Sequence, residues 1–205
     1  MEQGKKDSGN RIKGMQVPVI AFAGWSGSGK TTLIEQLIPV LIQKGREKCS
    51  RPFRLAVIKH STHGAKTVCS KNGSFADAEG TDTWRFRQAG ADPVILCGPD
   101  GPDLQEALEM AENGLATDGS VRPDLILVEG FKNEGLPQIG VNRKANSKGW
   151  TADPGSFMAI VTDTSAETKA VPKFGFDDIE EIAAFILEYA AFAVKTGYMA
   201  YKVIN

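Results

Sequence analysis

The chain has 205 residues, 41% hydrophobic and 24% charged, enough to bury the core of one ordinary α/β domain. Lysine plus arginine (24) nearly cancels aspartate plus glutamate (25), so no overall charge draws the chain to nucleic acid or an anionic membrane surface. Cys49, Cys69 and Cys97 are odd in number and widely spaced and form no CxxC pair, which suggests neither a disulfide framework nor a structural zinc site and fits a reducing cytoplasm.

Residues 1–16 are rich in Gly, Lys, Ser and Asn, with too little apolar content to offset the entropy of ordering, and read as a flexible tail. The β-branched run from Val17 to Ala23 reads as a buried strand. From Lys30 the period changes: Leu33, Ile34, Leu37, Ile38 and Leu41 form the stripe of a helix packed on a sheet, with Gly45 as its expected stop. Strands are expected at Phe53 to Ile58, Pro93 to Cys97, Leu125 to Glu129, Gln138 to Val141 and Phe157 to Val161. Helices are expected at Thr83 to Ala89, Leu104 to Glu112 and Ile179 to Phe192. This alternation predicts a single-domain α/β fold over 17–194, a mostly parallel sheet flanked by helices on both faces, with 195–205 as a C-terminal extension. Residues 64–76 and 144–156 read as long loops, uncommon enough to suggest lids. No stretch reaches the roughly 18 apolar residues that span a bilayer.

The segment Gly24-Trp25-Ser26-Gly27-Ser28-Gly29-Lys30-Thr31 leaves the first strand and opens the first helix. Glycines let consecutive N–H groups curl inward around an anion, and side chains there would collide with phosphate. Lys30 can reach the β and γ phosphates, the Thr31 hydroxyl can ligate magnesium, and the helix aims its positive end at the ligand. Gly24, Ser26, Gly27, Ser28, Gly29, Lys30, Thr31 and Thr32 are therefore the expected nucleotide contacts of a P-loop NTPase fold, with Lys30 the catalytic cation.

A second magnesium ligand is expected at the end of a neighbouring strand, where Asp-Leu-Ile-Leu-Val-Glu-Gly places Glu129. Asp124 begins that strand, at the wrong end. Lys59, His60 and His63 follow the second strand and should emerge at the same sheet edge, as anion or second-ligand contacts. Two histidines three apart lack further ligands of zinc-like spacing.

In order, GWSGSGKTTL, VIKHSTH, DAEGTDTWRFRQAGA, LILVEGFK and LPQIGVNR, continuing through FMAIVTD, resemble the molybdopterin-guanine dinucleotide biosynthesis adapter protein family, MobB. The resemblance implies a cytoplasmic, homodimeric GTP-binding protein with weak GTPase activity that assists the guanylyltransferase MobA, with no nucleic-acid or membrane partner. It implies phosphate and magnesium contacts from Gly27 to Thr32, metal service by Glu129, and a cleft lined by His60, Asp82 and Arg85. A molybdopterin compound, or molybdopterin-guanine dinucleotide, is a candidate second ligand there. Two departures stand out: the link after the KHxxH strand end is longer than usual around Val68 to Ser74, and Gly80-Thr81-Asp82-Thr83 lacks the lysine of the family's GKDS-like segment.

The NKxD signature that reads guanine in common GTPases is absent. Asp163 is the candidate in its place, because a carboxylate can accept both N1–H and the exocyclic amine of guanine; capping a turn is its alternative role. No arginine is marked as a finger, with Arg85, Arg87 and Arg143 as candidates, so slow hydrolysis is expected. A P-loop small-molecule kinase is the first alternative function. A metallochaperone GTPase is the second, though a histidine-rich or CxxC metal segment is missing.

Overall fold

The computed structural model describes residues 15–62, 68–69, 78–113, 122–132, 134–165 and 171–197. The elements, in chain order, are β1 (Val19–Ala23), α1 (Lys30–Cys49), β2 (Leu55–His60), β3 (Val68–Cys69), α2 (Asp82–Gln88), β4 (Val94–Cys97), α3 (Leu104–Asn113), β5 (Leu125–Glu129), β6 (Gln138–Asn142), β7 (Ala159–Thr162), β8 (Lys173–Phe174) and α4 (Ile179–Thr196). They build one eight-stranded sheet in the order β3-β4-β2-β5-β1-β6-β7-β8. Every pairing is parallel except the short antiparallel contact of β3 with β4.

All five residues of β1 and of β5 are buried, as expected of central strands covered on both faces. Alternate side chains divide between two cores. Ile20, Phe22, Leu55, Val57, Leu125 and Leu127 pack with α1, α2 and α4. Val19, Ala21, Ala56, Ile58, Ile126 and Val128 pack with α3. The α1 stripe, Leu33, Ile34, Leu37, Ile38 and Leu41, is at most 1% exposed. Burial of such a side chain contributes about 1.5–3 kcal/mol, against helix propensities of roughly 0.7 kcal/mol or less per ordinary residue. Tertiary packing therefore holds this helix in place.

Several boundaries differ from the sequence reading. Gly45 does not stop α1, which runs four residues further to Cys49 and caps at Ser50 with φ 55°. Gly45 is there for space: a Cβ at this position would lie 2.3 Å from Cγ of Phe53, whose ring lies against the helix. The two-residue strands β3 and β8 leave no apolar run long enough to read. β2 extends two residues beyond Ile58, so Lys59 and His60 belong to the ladder. Met15 and Gln16, assigned to the tail, are attached: Met15 packs on the α3-side core and the Gln16 amide donates to Glu112 Oε1 at 2.6 Å. Most of the 64–76 loop lies outside the described residues, whereas 144–156 is turns plus a 3-10 turn at Pro154–Ser156.

Gly45→Ala should lower stability by about 1–3 kcal/mol through overpacking against Phe53, although alanine is worth about 1 kcal/mol more than glycine inside an unconstrained helix. Urea denaturation followed by circular dichroism reads the sign directly; a stabilised variant would refute the packing role.

Candidate functional site

β1 lies between β5 and β6, and the loop that leaves it opens into α1, so the glycine-rich turn sits at the carboxyl edge of the sheet. Gly27 and Gly29 have φ 79° and 91°, the left-handed region that glycine enters at little cost. A Cβ on Gly24 would lie 2.4 Å from the Val141 carbonyl oxygen of β6. The loop is thus pinned against the sheet at one end and turned sharply at the other. Lys30 folds back over it, its Nζ donating to the carbonyl oxygens of Gly24 and Trp25, each at 3.0 Å. Burial, only partly countered by Glu129, lowers the Lys30 pKa below that of an ordinary lysine, and the nearby Lys59 and Lys132 add to the effect.

A cavity of about 870 Å³ opens over this loop. It gathers Gly24, Ser26, Gly27, Gly29, Lys30, Thr31 and Thr32 from the loop and α1, Lys59 and His60 from β2, Asp82 and Arg85 from α2, and Glu129 from β5. Segments separated by up to about a hundred residues in the chain therefore share one wall. Thr31 Oγ1 donates to Glu129 Oε1 at 3.0 Å and approaches Asp82 Oδ2 at 3.5 Å. Lys59 Nζ lies 2.8 Å from Glu129 Oε2 and 2.8 Å from Asp82 Oδ2. Burial alone would lower the Lys59 pKa, but Glu129 and Asp82 outweigh it and leave the amine above its usual value. Among the described residues no three His, Cys, Asp or Glu side chains gather as a metal site. Two carboxylates and a hydroxyl do converge, and this all-oxygen set suits a magnesium ion that completes its shell with phosphate and water.

Two expected site residues stand outside the cavity, and a third is not among the described residues. Ser28 does not line the cavity; it is 1% exposed, and its Oγ lacks a hydrogen-bond partner among the described residues. Asp163 is exposed beyond β7 and outside the cavity, where Oδ1 accepts the Lys144 amide at 2.5 Å, tying the loop after β6 to the loop after β7. His63 lies outside the described residues. Asp124 is at the opposite sheet edge, paired with Arg51, in keeping with its place at the start of β5. Arg85 pairs with Glu35 and lies 3.6 Å from Asp82.

The structure also brings in residues that the sequence reading did not single out. Gly130 and Phe131 follow Glu129 with φ 101° and 55°. A left-handed non-glycine residue costs roughly 1–3 kcal/mol, and here the turn sets the Phe131 ring edge-on to His60, with centroids 4.8 Å apart. Phe131, Lys132 and Glu134 extend the cavity wall, and Lys132 Nζ sits 3.9 Å above the Trp25 ring. On the other flank Asn146 Nδ2 donates to the Ser26 carbonyl at 2.8 Å, and Arg143, already a candidate finger in the sequence, stacks on Phe176 at 4.1 Å, beside Gly29. The charged pair after LILVEGF and the Asn-Arg-Lys-Ala-Asn run were the available signals, but their partners lie far away in the chain.

Past His60 and Phe131 a second cavity of about 470 Å³ is lined by Cys97, Pro99, Asp103 and Leu104. Cys97 is 1% exposed, and burial pushes its thiol up to about 12. At pH 8 that leaves about one thiolate in ten thousand. Iodoacetamide at pH 8 should therefore label exposed Cys49 and spare Cys97 until denaturant is added; peptide mapping that finds Cys97 labelled in the folded protein would contradict this burial.

The family model for MobB, molybdopterin guanine dinucleotide synthesis protein B, matches residues 19–163. The chain is 33% identical over 181 residues to the molybdopterin-guanine dinucleotide biosynthesis adapter protein of Haemophilus influenzae, covering 83% of this chain and 88% of that one. It is 32% identical over 183 residues to the protein of the same name from Escherichia coli, covering 84% and 93%. Among solved structures, a MobB protein homolog from Bacillus stearothermophilus superposes with a TM-score of 0.50 at 22% identity, covering 87% of this chain and 99% of that one. HypB from Helicobacter pylori in complex with nickel gives 0.56 at 14% identity, covering 95% of each. These two likenesses concern the fold.

Proposed function

The chain belongs to the MobB family, molybdopterin guanine dinucleotide synthesis protein B, and from that premise we propose that it is a GTP-binding adapter of molybdopterin-guanine dinucleotide biosynthesis. The observation that carries the nucleotide reading is the convergence of Thr31, Glu129, Asp82 and Lys59 beside a loop whose backbone is already turned for phosphate. In this reading the loop amides and Lys30 hold the β and γ phosphates, while Thr31, Glu129 and Asp82 hold magnesium, which would neutralise charge on the phosphate oxygens. The partner is a MobA-type guanylyltransferase, the active form a homodimer, the setting the cytoplasm. Among the described residues no helix is long and apolar enough to cross a membrane.

Slow hydrolysis agrees with the charge arrangement. Arg85 is held by Glu35 and Asp82, and Arg143 is stacked on Phe176, so neither is placed as a cation over the terminal phosphate. For the base, the proposal keeps Asp163. Its carboxylate stands on the β7 side of the P-loop, and its bond to the Lys144 amide holds it in a fixed orientation. A pterin-bearing compound is the proposed second ligand, in the cavity beyond His60 and Phe131. That cavity is also what favours the alternative reading, a small-molecule kinase, since an acceptor there would adjoin the terminal phosphate. Labelled phosphate appearing on a small alcohol rather than as free phosphate would select the kinase.

Lys30→Ala should abolish GTP binding in calorimetry while leaving the circular dichroism spectrum unchanged; retained affinity would refute the P-loop reading. Asp163→Ala should reduce the preference for GTP over ATP, read from the paired thermal shifts that a ligand binding only the native state produces. An unchanged preference would remove Asp163 from base recognition.

A further inference from the structure

Lys59 and Glu129 are Cα partners in the parallel ladder between β2 and β5, so their side chains leave the same face of the sheet at the same height. Asp82, at the start of α2, comes down over them. The Lys59 ammonium lies 2.8 Å from Glu129 Oε2 and 2.8 Å from Asp82 Oδ2, with its side chain 15% exposed. Thr31 Oγ1 faces Glu129 Oε1 at 3.0 Å and Asp82 Oδ2 at 3.5 Å. Hydroxyl, carboxylate, ammonium and carboxylate thus close a ring in which Asp82 Oδ2 is shared between the lysine and the threonine.

Magnesium requires oxygen ligands at about 2.0–2.1 Å in a nearly octahedral shell. A metal ion bound to Thr31 Oγ1 and Asp82 Oδ2 would draw on an oxygen that Lys59 already holds, and one bound to Glu129 Oε1 would share that carboxylate with the ammonium on Oε2. At so short a separation, and with little water between them, like charges repel strongly. Sharing the Asp82 oxygen therefore costs both cations, and the more strongly bound one displaces the other.

We propose that Lys59 is an internal placeholder for the divalent cation: its ammonium holds Glu129 and Asp82 together until metal arrives with the triphosphate, then yields the shared Asp82 oxygen and turns to the terminal phosphate. The inference rests on the metal–triphosphate reading of this cavity and adds an order of events to it. The lysine blocks entry of free metal, and the triphosphate, carrying its own negative charge, both delivers the metal and gives the displaced ammonium a new partner. Premature capture of a divalent ion by a bare carboxylate pair is prevented.

The test is Mn2+ binding to the full chain without nucleotide, followed by electron paramagnetic resonance and calorimetry. Lys59→Met should bind Mn2+ roughly tenfold or more tightly than the unaltered chain, because the carboxylate pair loses its resident counter-charge. Lys59→Arg, which keeps the charge, should bind Mn2+ no more tightly than the unaltered chain, and adding Glu129→Gln to Lys59→Met should abolish the gain. If Lys59→Met is poorly folded, Lys59→Gln makes the same comparison. Folded Lys59→Met with unchanged Mn2+ affinity overturns the proposal. A parallel titration with GTP and Mg2+ keeps the two readings separate: GTP bound by the unaltered chain with no Mn2+ gain in the variant refutes the placeholder alone, whereas a Mn2+ gain with no GTP binding refutes the nucleotide reading and with it delivery of the metal by triphosphate, leaving only the competition of Lys59 with the metal.

Discussion

Two carboxylates, Glu129 and Asp82, share one ammonium at the carboxyl edge of the sheet, and the arrangement of the site follows from making that contact possible. Glu129 is 5% exposed, and a carboxylate so placed is tolerated only with a charge or several donors against it. Lys59 supplies the charge because β2 and β5 are adjacent and in register. Thr31 supplies the donor because α1 begins one six-residue loop after β1, the neighbour of β5 on its other side. The parallel order β2-β5-β1 therefore sets Lys59 and Glu129 beside the start of α1, and a slip of one residue in β2 would turn Lys59 to the α3 face and leave Glu129 without its counter-charge.

The same logic explains where the structure tolerates strain. Directly after Glu129 the chain turns through two left-handed residues, Gly130 and Phe131. Glycine makes the first nearly free, and it is also required sterically, since a Cβ there would lie 2.9 Å from that of His60. The second is offset by packing of Phe131 against His60 and the α3-side core. The outcome is a wall of aromatic edges between the phosphate end and the second cavity, built on strand termini whose positions the sheet dictates.

The parts of this site legible in the sequence are those whose chemistry is local. A glycine-rich turn between a β-branched run and a three-four apolar stripe states its geometry within a dozen residues, and the carboxylate ending Leu-Ile-Leu-Val announces its place at a strand end. Reading failed where the deciding partner is distant. Gly45 has the composition of a helix stop, but the Phe53 ring makes it an interior packing residue. Lys59 reads as loop because charge usually ends a strand, yet its ion pairs with Glu129 and Asp82 keep it in the ladder. Asp163 remains the candidate for the base; what its neighbours in sequence did not show is the bond to the Lys144 amide, which joins two loops and depends on β6 and β7 being neighbours. The two-residue β3 and β8 carry no periodic signal.

The two ends of the cavity are consequently built by different means. On the β2 and β5 side Lys59, His60, Glu129 and Asp82 stand on strand termini or a helix start, so their positions are set by backbone hydrogen bonds and a core of fully buried residues. On the β6 and β7 side the P-loop is held by side chains from the following loop: Asn146 on the Ser26 carbonyl, Lys148 5.8 Å over the Trp25 ring, and Arg143 between Gly29 and Phe176. Loops tolerate substitution better than strand termini do. A scaffold arranged in this way can keep the proposed triphosphate grip while the residues proposed to discriminate the base are changed around it, and the absence of an NKxD sequence from a fold with this strand order is physically unsurprising.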